Sequence, residues 1–245
     1  AQLRVLSYNI HHGAGVDNKL DLPRIAEVIK SVKPDLVALQ EVDRGVQRTQ
    51  RVDEPQQLAS LTGMHVVFGN NICYQGGDYG NAVLSRYPIK GYKNHPLPSH
   101  YEGEQRGVME VEIAPTGFGQ SIFFFATHLD YRPDDGERLD SVKFINELLA
   151  SKKGQPSLLA GDLNATPDST TIRGFKTVWT SVNEKVMHTF PVEKPSRQID
   201  FILFHPAERW KSIEVRVLDE AVASDHRAIF AVLELTSDRS DETRP

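Results

Sequence analysis

The chain has 245 residues, with 28 Lys plus Arg against 33 Asp plus Glu, a formal charge of −5, 39 % hydrophobic and 25 % charged residues. That balance excludes collagen-like, mucin-like and disordered classes, and the longest apolar run, near residues 122–126, falls far short of the ~20 residues of a membrane helix. Cys73, the one cysteine, excludes an internal disulfide, a thiolate zinc site and an iron–sulfur cluster held by this chain alone. The acidic balance argues against a generic duplex-DNA binder, which carries a basic face. A start at Ala1-Gln2 that runs straight into a strand pattern suits a mature exported chain better than a cytoplasmic one, although a trimmed chain reads the same way.

In chain order, residues 3–10 read as a strand. Asp21 caps a helix with Pro23 in its first turn, Leu22, Ile25, Ala26 and Ile29 on one face, and Pro34 after its end. Residues 36–41 are apolar on both parities, the pattern of a strand covered on both faces. Asp53 and Pro55 open a second helix that stops at Gly63. Strands are predicted at residues 66–69, 81–85, 108–113, 121–128, 157–160, 199–204 and 227–235. A helix is predicted over 134–152, with Leu139, Val142, Ile145 and Leu149 as its stripe. Gly76-Gly77 reads as a flexible loop, and Tyr74, Tyr79, Tyr87, Tyr92 and Tyr101 as one loop-rich stretch. The pattern implies a mixed α/β layered fold built as one domain over residues 1–236, followed by a flexible polar tail at 237–245.

The polar residues that end these strands carry the functional signal: Asn9, Glu41, His128, Asp162 with Asn164, and Asp225 with His226, while Asp200 sits inside an apolar strand. Sites of layered α/β proteins collect at strand ends. Acceptor oxygens beside imidazoles suit a hard cation (Mg²⁺ or Mn²⁺, with Ca²⁺ as a further option) next to acid/base groups. Asp162 and Asn164, two residues apart, point the same way in an extended segment; taken alone they read equally as the start of a turn. Asp200 is costly in its strand unless paired. A histidine partner would relieve it and be oriented by it; so would an arginine. His11-His12 has a poor chelating spacing on any regular element. No phosphate-binding Gly-Lys-Ser/Thr loop, G-x-S-x-G elbow or H-E-x-x-H motif occurs.

Ser7-Tyr8-Asn9, Leu39-Gln40-Glu41, Gly80-Asn81 through Ser85-Arg86-Tyr87-Pro88, Gln105-Arg106-Gly107, Thr127-His128-Leu129, Gly161-Asp162-Leu163-Asn164, Gln198-Ile199-Asp200-Phe201 and Ser224-Asp225-His226 follow one another in this order. The series resembles the endonuclease/exonuclease/phosphatase superfamily, which includes deoxyribonucleases, abasic-site endonucleases, inositol-phosphate 5-phosphatases and neutral sphingomyelinases. The resemblance spans residues 3–235. It implies a four-layer αββα sandwich with two mixed sheets face to face, and a divalent-metal phosphoesterase. It implies metal-site roles for Asn9, Glu41 and Asp225. Asp162 and Asn164 match the pair that binds the attacking water, the phosphate or a second metal, and His226 with Asp200 matches the catalytic pair. His128 matches a second catalytic histidine that contacts a phosphoryl oxygen or assists the leaving group, Arg106 a phosphate contact, and Asn81 a substrate-side residue.

Tyr8 stands where Trp is commoner, and His11 where abasic-site enzymes carry an acid. No long basic insertion or membrane-inserting aromatic hairpin is evident. Arg44, Arg48 and Arg51 alternate with Asp43, Asp53 and Glu54, which cancels their field. The expected substrate is therefore a small or lipid-derived phosphate ester acted on by a monomeric diesterase or phosphatase. A nuclease on DNA or RNA and a catalytically silent binding module are the alternatives.

Overall fold

The computed structural model describes residues 1–236; the tail expected at 237–245 lies outside them. In chain order the elements are β1 (Gln2–Asn9), α1 (Leu22–Ser31), β2 (Leu36–Arg44), α2 (Glu54–Thr62), β3 (His65–Tyr74), β4 (Gly77–Ser85), β5 (Ile89–Pro96), β6 (Gly107–Ile113), β7 (Ile122–His128), α3 (Gly136–Ala150), β8 (Ser157–Asp162), α4 (Thr170–Phe175), β9 (Thr180–Ser181), β10 (Asp200–His205), β11 (Trp210–Val217) and β12 (Ile229–Leu235). They form two six-stranded mixed sheets, β11-β12-β1-β2-β4-β3 and β5-β6-β7-β8-β10-β9.

Strand alternation sorts the side chains into layers. Leu3, Val5, Leu36, Ala38 and Val83 of the first sheet meet Val111, Phe124, Ala126, Leu158, Ala160 and Ile202 of the second in one buried cluster. The opposite parity of the first sheet (Leu6, Tyr8, Val37, Leu39, Phe230) packs under Ile25, Ile29 and Leu58 of α1 and α2. Phe125, Leu159, Phe201 and Leu203 pack under Val142, Ile145, Ile172 and Phe175 of α3 and α4. The result is the αββα sandwich, and it explains why the central strands carry apolar residues on both parities.

The helix boundaries follow local chemistry. Asp21 accepts the Arg24 N–H at 2.9 Å and Asp53 the Gln56 N–H at 3.0 Å, and each helix carries Pro in its first turn. Gly63 closes α2 at φ 69°. Three expectations need correction. Leu139 is exposed; the buried positions at the start of α3 are Glu137 and Arg138. They serve polar contacts, Glu137 accepting from Arg132 and from the His100 N–H, and Arg138 donating to the Asp130 carbonyl. Gln75-Gly76, with φ 45° and 78°, forms the tight turn of the β3–β4 hairpin, whose twist requires left-handed residues, so Gly76-Gly77 is not a flexible loop. The tyrosine-bearing stretch is mostly strand, β3 to β5. The edge strands β5 and β11 escape the hydrophobic pattern because most of their side chains face solvent.

Gly161 sits in β8 opposite Thr127 of β7, and a Cβ there would overlap the Thr127 carbonyl; a Cβ at Gly91 in β5 meets open space. Gly161→Ala is expected to destabilise by about 2 kcal/mol or more, through overpacking against backbone. Gly91→Ala should stay within about 0.5 kcal/mol. Urea unfolding of the two variants measures both.

Candidate active site

The site forms where the layered alternation runs from apolar to polar. His128, Asp162 and Asp200 lie directly opposite one another across β7, β8 and β10. Two residues further into the sheet, on the same parity, Ala126, Ala160 and Ile202 belong to the inter-sheet core. The polar row therefore continues the face that meets the first sheet. From that sheet, Asn9 at the end of β1 is fully buried and donates from Nδ2 to Glu41 Oε1 at 3.0 Å and to Asp162 Oδ2 at 3.2 Å. Glu41 reaches this point because β2 shifts register between Leu39 and Val42 and Glu41 adopts φ 57°. A non-glycine residue in that conformation costs on the order of 1–3 kcal/mol and survives only where its surroundings hold it.

His226 arrives on the loop before β12. Ser224 Oγ ties this loop to β1 by donating to the Asn9 carbonyl at 2.7 Å, and accepts the His226 N–H at 3.3 Å. His226 Nδ1 lies 2.9 Å from Asp200 Oδ2, and Nε2 lies 3.6 Å from Asp162 Oδ2. Thr189 Oγ1 donates to Asp200 Oδ2 at 2.5 Å, while Asp200 Oδ1 is buried without a protein partner. Burial pulls the imidazole pKa down, but the carboxylates of Asp200 and Asp162 outweigh it and lift it to about 10. His226 is thus an imidazolium at neutral pH. Burial and the neighbouring Asp200 raise Asp162 in turn, with His226 opposing.

His128 behaves oppositely. Burial, then Arg106 and His226, hold it well below the usual imidazole range, so it is neutral. Arg106 Nη1 stands 3.1 Å from His128 Nδ1. The guanidinium of Arg106 and the amide nitrogen of Asn164 are both donors and face the two ring nitrogens, and a neutral ring accepts from one of them only. His128 Nε2 lies 3.5 Å from Asp162 Oδ2, a contact that is therefore no ion pair. Asn164, at φ 46°, donates its backbone N–H to Asp162 Oδ1 at 2.9 Å and its amide to the Leu129 carbonyl at 3.0 Å. That amide also faces His128 Nε2 at 3.0 Å.

Glu41, Asp162, Asn164, Asp225, His226, His128 and Arg106 line one cavity of about 440 Å³. Its rim adds Tyr79, Glu104, Tyr131, Phe190 and Arg197. Glu104 pairs with Arg106 at 2.6 Å, and Phe190 packs on His226 with ring centroids 4.8 Å apart. Asn81 is placed elsewhere. It is buried and donates to the Gly107 carbonyl at 3.2 Å, tying β4 of one sheet to β6 of the other, and it does not line the cavity. The sequence reading missed Thr189, Glu104, Tyr131, Phe190 and Arg197, none of which ends a strand; Tyr79 alone of the tyrosine set lines the cavity.

The cavity offers candidate donors for a divalent cation. Glu41 and Asp162 converge on the Asn9 amide, Asp225 stands beside them on the cavity wall, and Glu41 has no ion-pair partner among the described residues. These are hard oxygen donors of the kind Mg²⁺ and Mn²⁺ take. Asp162, Asp200 and His226 also offer ligand atoms within 4.8 Å of one another, a buried group able to hold a metal. The His226–Asp200 hydrogen bond already engages one atom of each.

The Endonuclease/Exonuclease/phosphatase family model matches residues 6–226. The Escherichia coli (strain K12) protein YbhP is 29% identical over 247 residues, covering 95% of this chain and 96% of that protein. An endonuclease/exonuclease/phosphatase from Beutenbergia cavernae DSM 12333 superposes with a TM-score of 0.80 at 26% identity, covering 96% of this chain and 72% of that one. A mannosyl-6-phosphatase from Bacteroides thetaiotaomicron VPI-5482 shares the fold at a TM-score of 0.76 and 19% identity, over 96% of this chain and 100% of that one.

His226 binds its proton more tightly in the folded chain than in the unfolded one, where an imidazole titrates near 6.5. Its contribution to stability is complete below that value and is lost as pH rises through about 10. In chelator-treated protein, the urea midpoint should fall between pH 7 and 10, and His226→Gln should flatten that fall.

Proposed function

The chain belongs to the endonuclease/exonuclease/phosphatase family, whose members are generally metal-dependent phosphoesterases, and from that premise we propose that it hydrolyses a small or lipid-derived phosphate ester with a divalent cation. The observation that carries this reading is the meeting of the His128–Asp162–Asp200 row with His226, Asn9 and Glu41 around one cavity. A silent binding module would not need a buried, charged and mutually oriented set that costs stability to assemble.

In this reading Glu41, Asn9 and Asp225 hold the cation, which supplies Lewis-acid relief of charge on the phosphoryl oxygens when bound. Asp162, whose pKa burial raises, orients the attacking water and takes its proton as the new P–O bond forms and the opposite P–O bond to the ester oxygen breaks, the leaving alkoxide taking a proton from solvent and departing as the alcohol. The imidazolium of His226, kept protonated by Asp200, donates from Nε2 toward the charge that grows on the phosphoryl group. Neutral His128 and Asn164 line the side of the cavity where the other phosphoryl oxygens would lie. Arg106 stands beside His128 and brings positive charge to the cavity wall. Thr189 is a positioning residue, because it binds Asp200 rather than the substrate.

The surroundings support a compact substrate over a duplex. Arg44 is paired to Asp78 at 2.5 Å, and Arg48 to both oxygens of Asp43 at 2.8 and 2.9 Å, so neither offers free charge to a nucleic-acid backbone. Arg197, stacked on Phe190 at 5.0 Å with no carboxylate partner among the described residues, stands at the rim where a second anionic or polar group of an ester would lie. Among the described residues no helix is long and apolar enough to cross a membrane.

Turnover of bis-(p-nitrophenyl) phosphate or of a small monoester should vanish in chelator and return with Mg²⁺ or Mn²⁺; undiminished turnover after rigorous chelation would refute the metal-dependent mechanism. His226→Ala should cost roughly 10²–10⁴ in rate, the range for a lost acid/base group. Asp200→Asn should cost a similar factor, and the double variant little more, because the two act as one unit. Multiplicative losses would separate them. At matched salt, catalytic efficiency on plasmid and abasic duplex should lie below that on small esters; the reverse order would make the chain a nuclease.

A further inference from the structure

His11 and His12 are adjacent in sequence, and on a helix or strand adjacent side chains diverge. Here the backbone is neither. His11, His12 and Gly13 have φ of 46°, 44° and 70°, a run of left-handed residues directly after β1. This conformation costs roughly 1–2 kcal/mol for each non-glycine residue, so the turn must be held by its surroundings. Its effect is to bring the imidazoles together, with ring centroids 4.5 Å apart at 63°. Ligand atoms of His11, His12 and Glu41 all lie within 4.8 Å of one another.

The hydrogen bonds leave lone pairs free. His11 Nδ1 faces the Ala14 carbonyl at 3.2 Å. A carbonyl only accepts, so Nδ1 carries the proton and Nε2 the lone pair, the tautomer a metal-ligating histidine takes when a backbone oxygen holds its other nitrogen. His12 Nδ1 is buried with no partner at all. Burial, then Arg48 and His11, push the His12 pKa down to about 4, so its ring is neutral at physiological pH. Arg48 is the nearby positive charge that would oppose a cation, and Asp43 neutralises it through both carboxylate oxygens. An anion would meet Glu41 and find no positive charge in the group itself. The set invites a cation.

We propose that His11, His12 and Glu41 form a second cation site, selective for a borderline divalent ion of the Zn²⁺ or Co²⁺ class over Mg²⁺. Two imidazoles and one carboxylate are the donors such ions take in preference to the all-oxygen set that suits Mg²⁺. Glu41 is shared with the oxygen-lined set of Asn9, Asp162 and Asp225, and the His11 backbone N–H donates to Asn9 Oδ1 at 3.1 Å, so the two sites adjoin. The left-handed turn is the feature that lets neighbouring histidines act as a pair.

The test reads binding without substrate, so its outcome is independent of the hydrolytic reading. The full chain, freed of metal and held in millimolar Mg²⁺, is titrated with Co²⁺ and followed by visible ligand-field absorption, then back-titrated with Zn²⁺. The expected result is stoichiometric Co²⁺ uptake displaced by Zn²⁺ and weakened at least tenfold in His11→Asn and His12→Asn. Asparagine is chosen because it tolerates the left-handed conformation. Asp162→Asn should leave Co²⁺ uptake within threefold of wild type. On the wild-type chain alone, Zn²⁺ but not Mg²⁺ should protect His11 and His12 from acylation by diethyl pyrocarbonate, read by peptide mass mapping. No uptake over Mg²⁺, equal uptake by the doubly substituted chain, or absence of protection would each overturn the proposal.

Discussion

A carboxylate buried as fully as Asp162 must be compensated, and the architecture around it is largely that compensation. Removing an ion from water costs several kcal/mol unless hydrogen bonds and opposite charge replace the solvent. Asp162 takes an amide from Asn9 across the sheet interface, a backbone N–H from Asn164 in its own turn, and the imidazolium of His226 from the last loop. These partners come from β1, the turn after β8 and the segment before β12. The carboxylate therefore holds the two sheets in one relative register at the end where the cavity opens. The chemistry of the site and the docking of the layers depend on the same atoms.

The two histidines show how one cavity holds imidazoles in opposite states. Both are buried, and burial alone would make both neutral. His226 keeps its proton because two carboxylates offset its burial; His128 loses its own to burial, with the Arg106 guanidinium and His226 adding to the effect. The pair places a cationic and a neutral imidazole side by side, a difference that environment assigns and residue type does not.

Besides ordinary turns, left-handed residues stand where the chain must aim side chains rather than pack them. Glu41, Asn164, His11 and His12 all occupy the left-handed region, and all stand at or next to the cavity. Further register shifts fall in the edge strands β3, β5 and β11, while the central strands sort their side chains into the core layers. The bulge in β2 and the turns after β1 and β8 re-aim groups that a regular strand would send to the wrong face.

By itself the sequence determined the helix starts and stops of α1 and α2, because caps and prolines act within one turn. It also determined the doubly covered strands, because two apolar parities admit no other environment, and the order of the polar strand ends that carries the family resemblance. Those strand ends account for Glu41, His128, Asp162, Asp225 and His226 at the cavity, while Glu104, Tyr131, Phe190 and Arg197, which end no strand, escaped it. Tertiary structure alone decided the edge strands β5 and β11, whose solvent-facing residues carry no hydrophobic period. It decided the exposure of Leu139, since Glu137 and Arg138 find partners on a neighbouring loop. It gave Asn81 to the sheet interface and Thr189 to Asp200, contacts between segments distant in sequence. It also joined His11 to His12, which regular spacing rules would keep apart. The division has one physical reason: propensity, capping and alternation act over a few residues and are written locally, whereas register between sheets, charge compensation and left-handed turns are settled by atoms that meet only when the layers close.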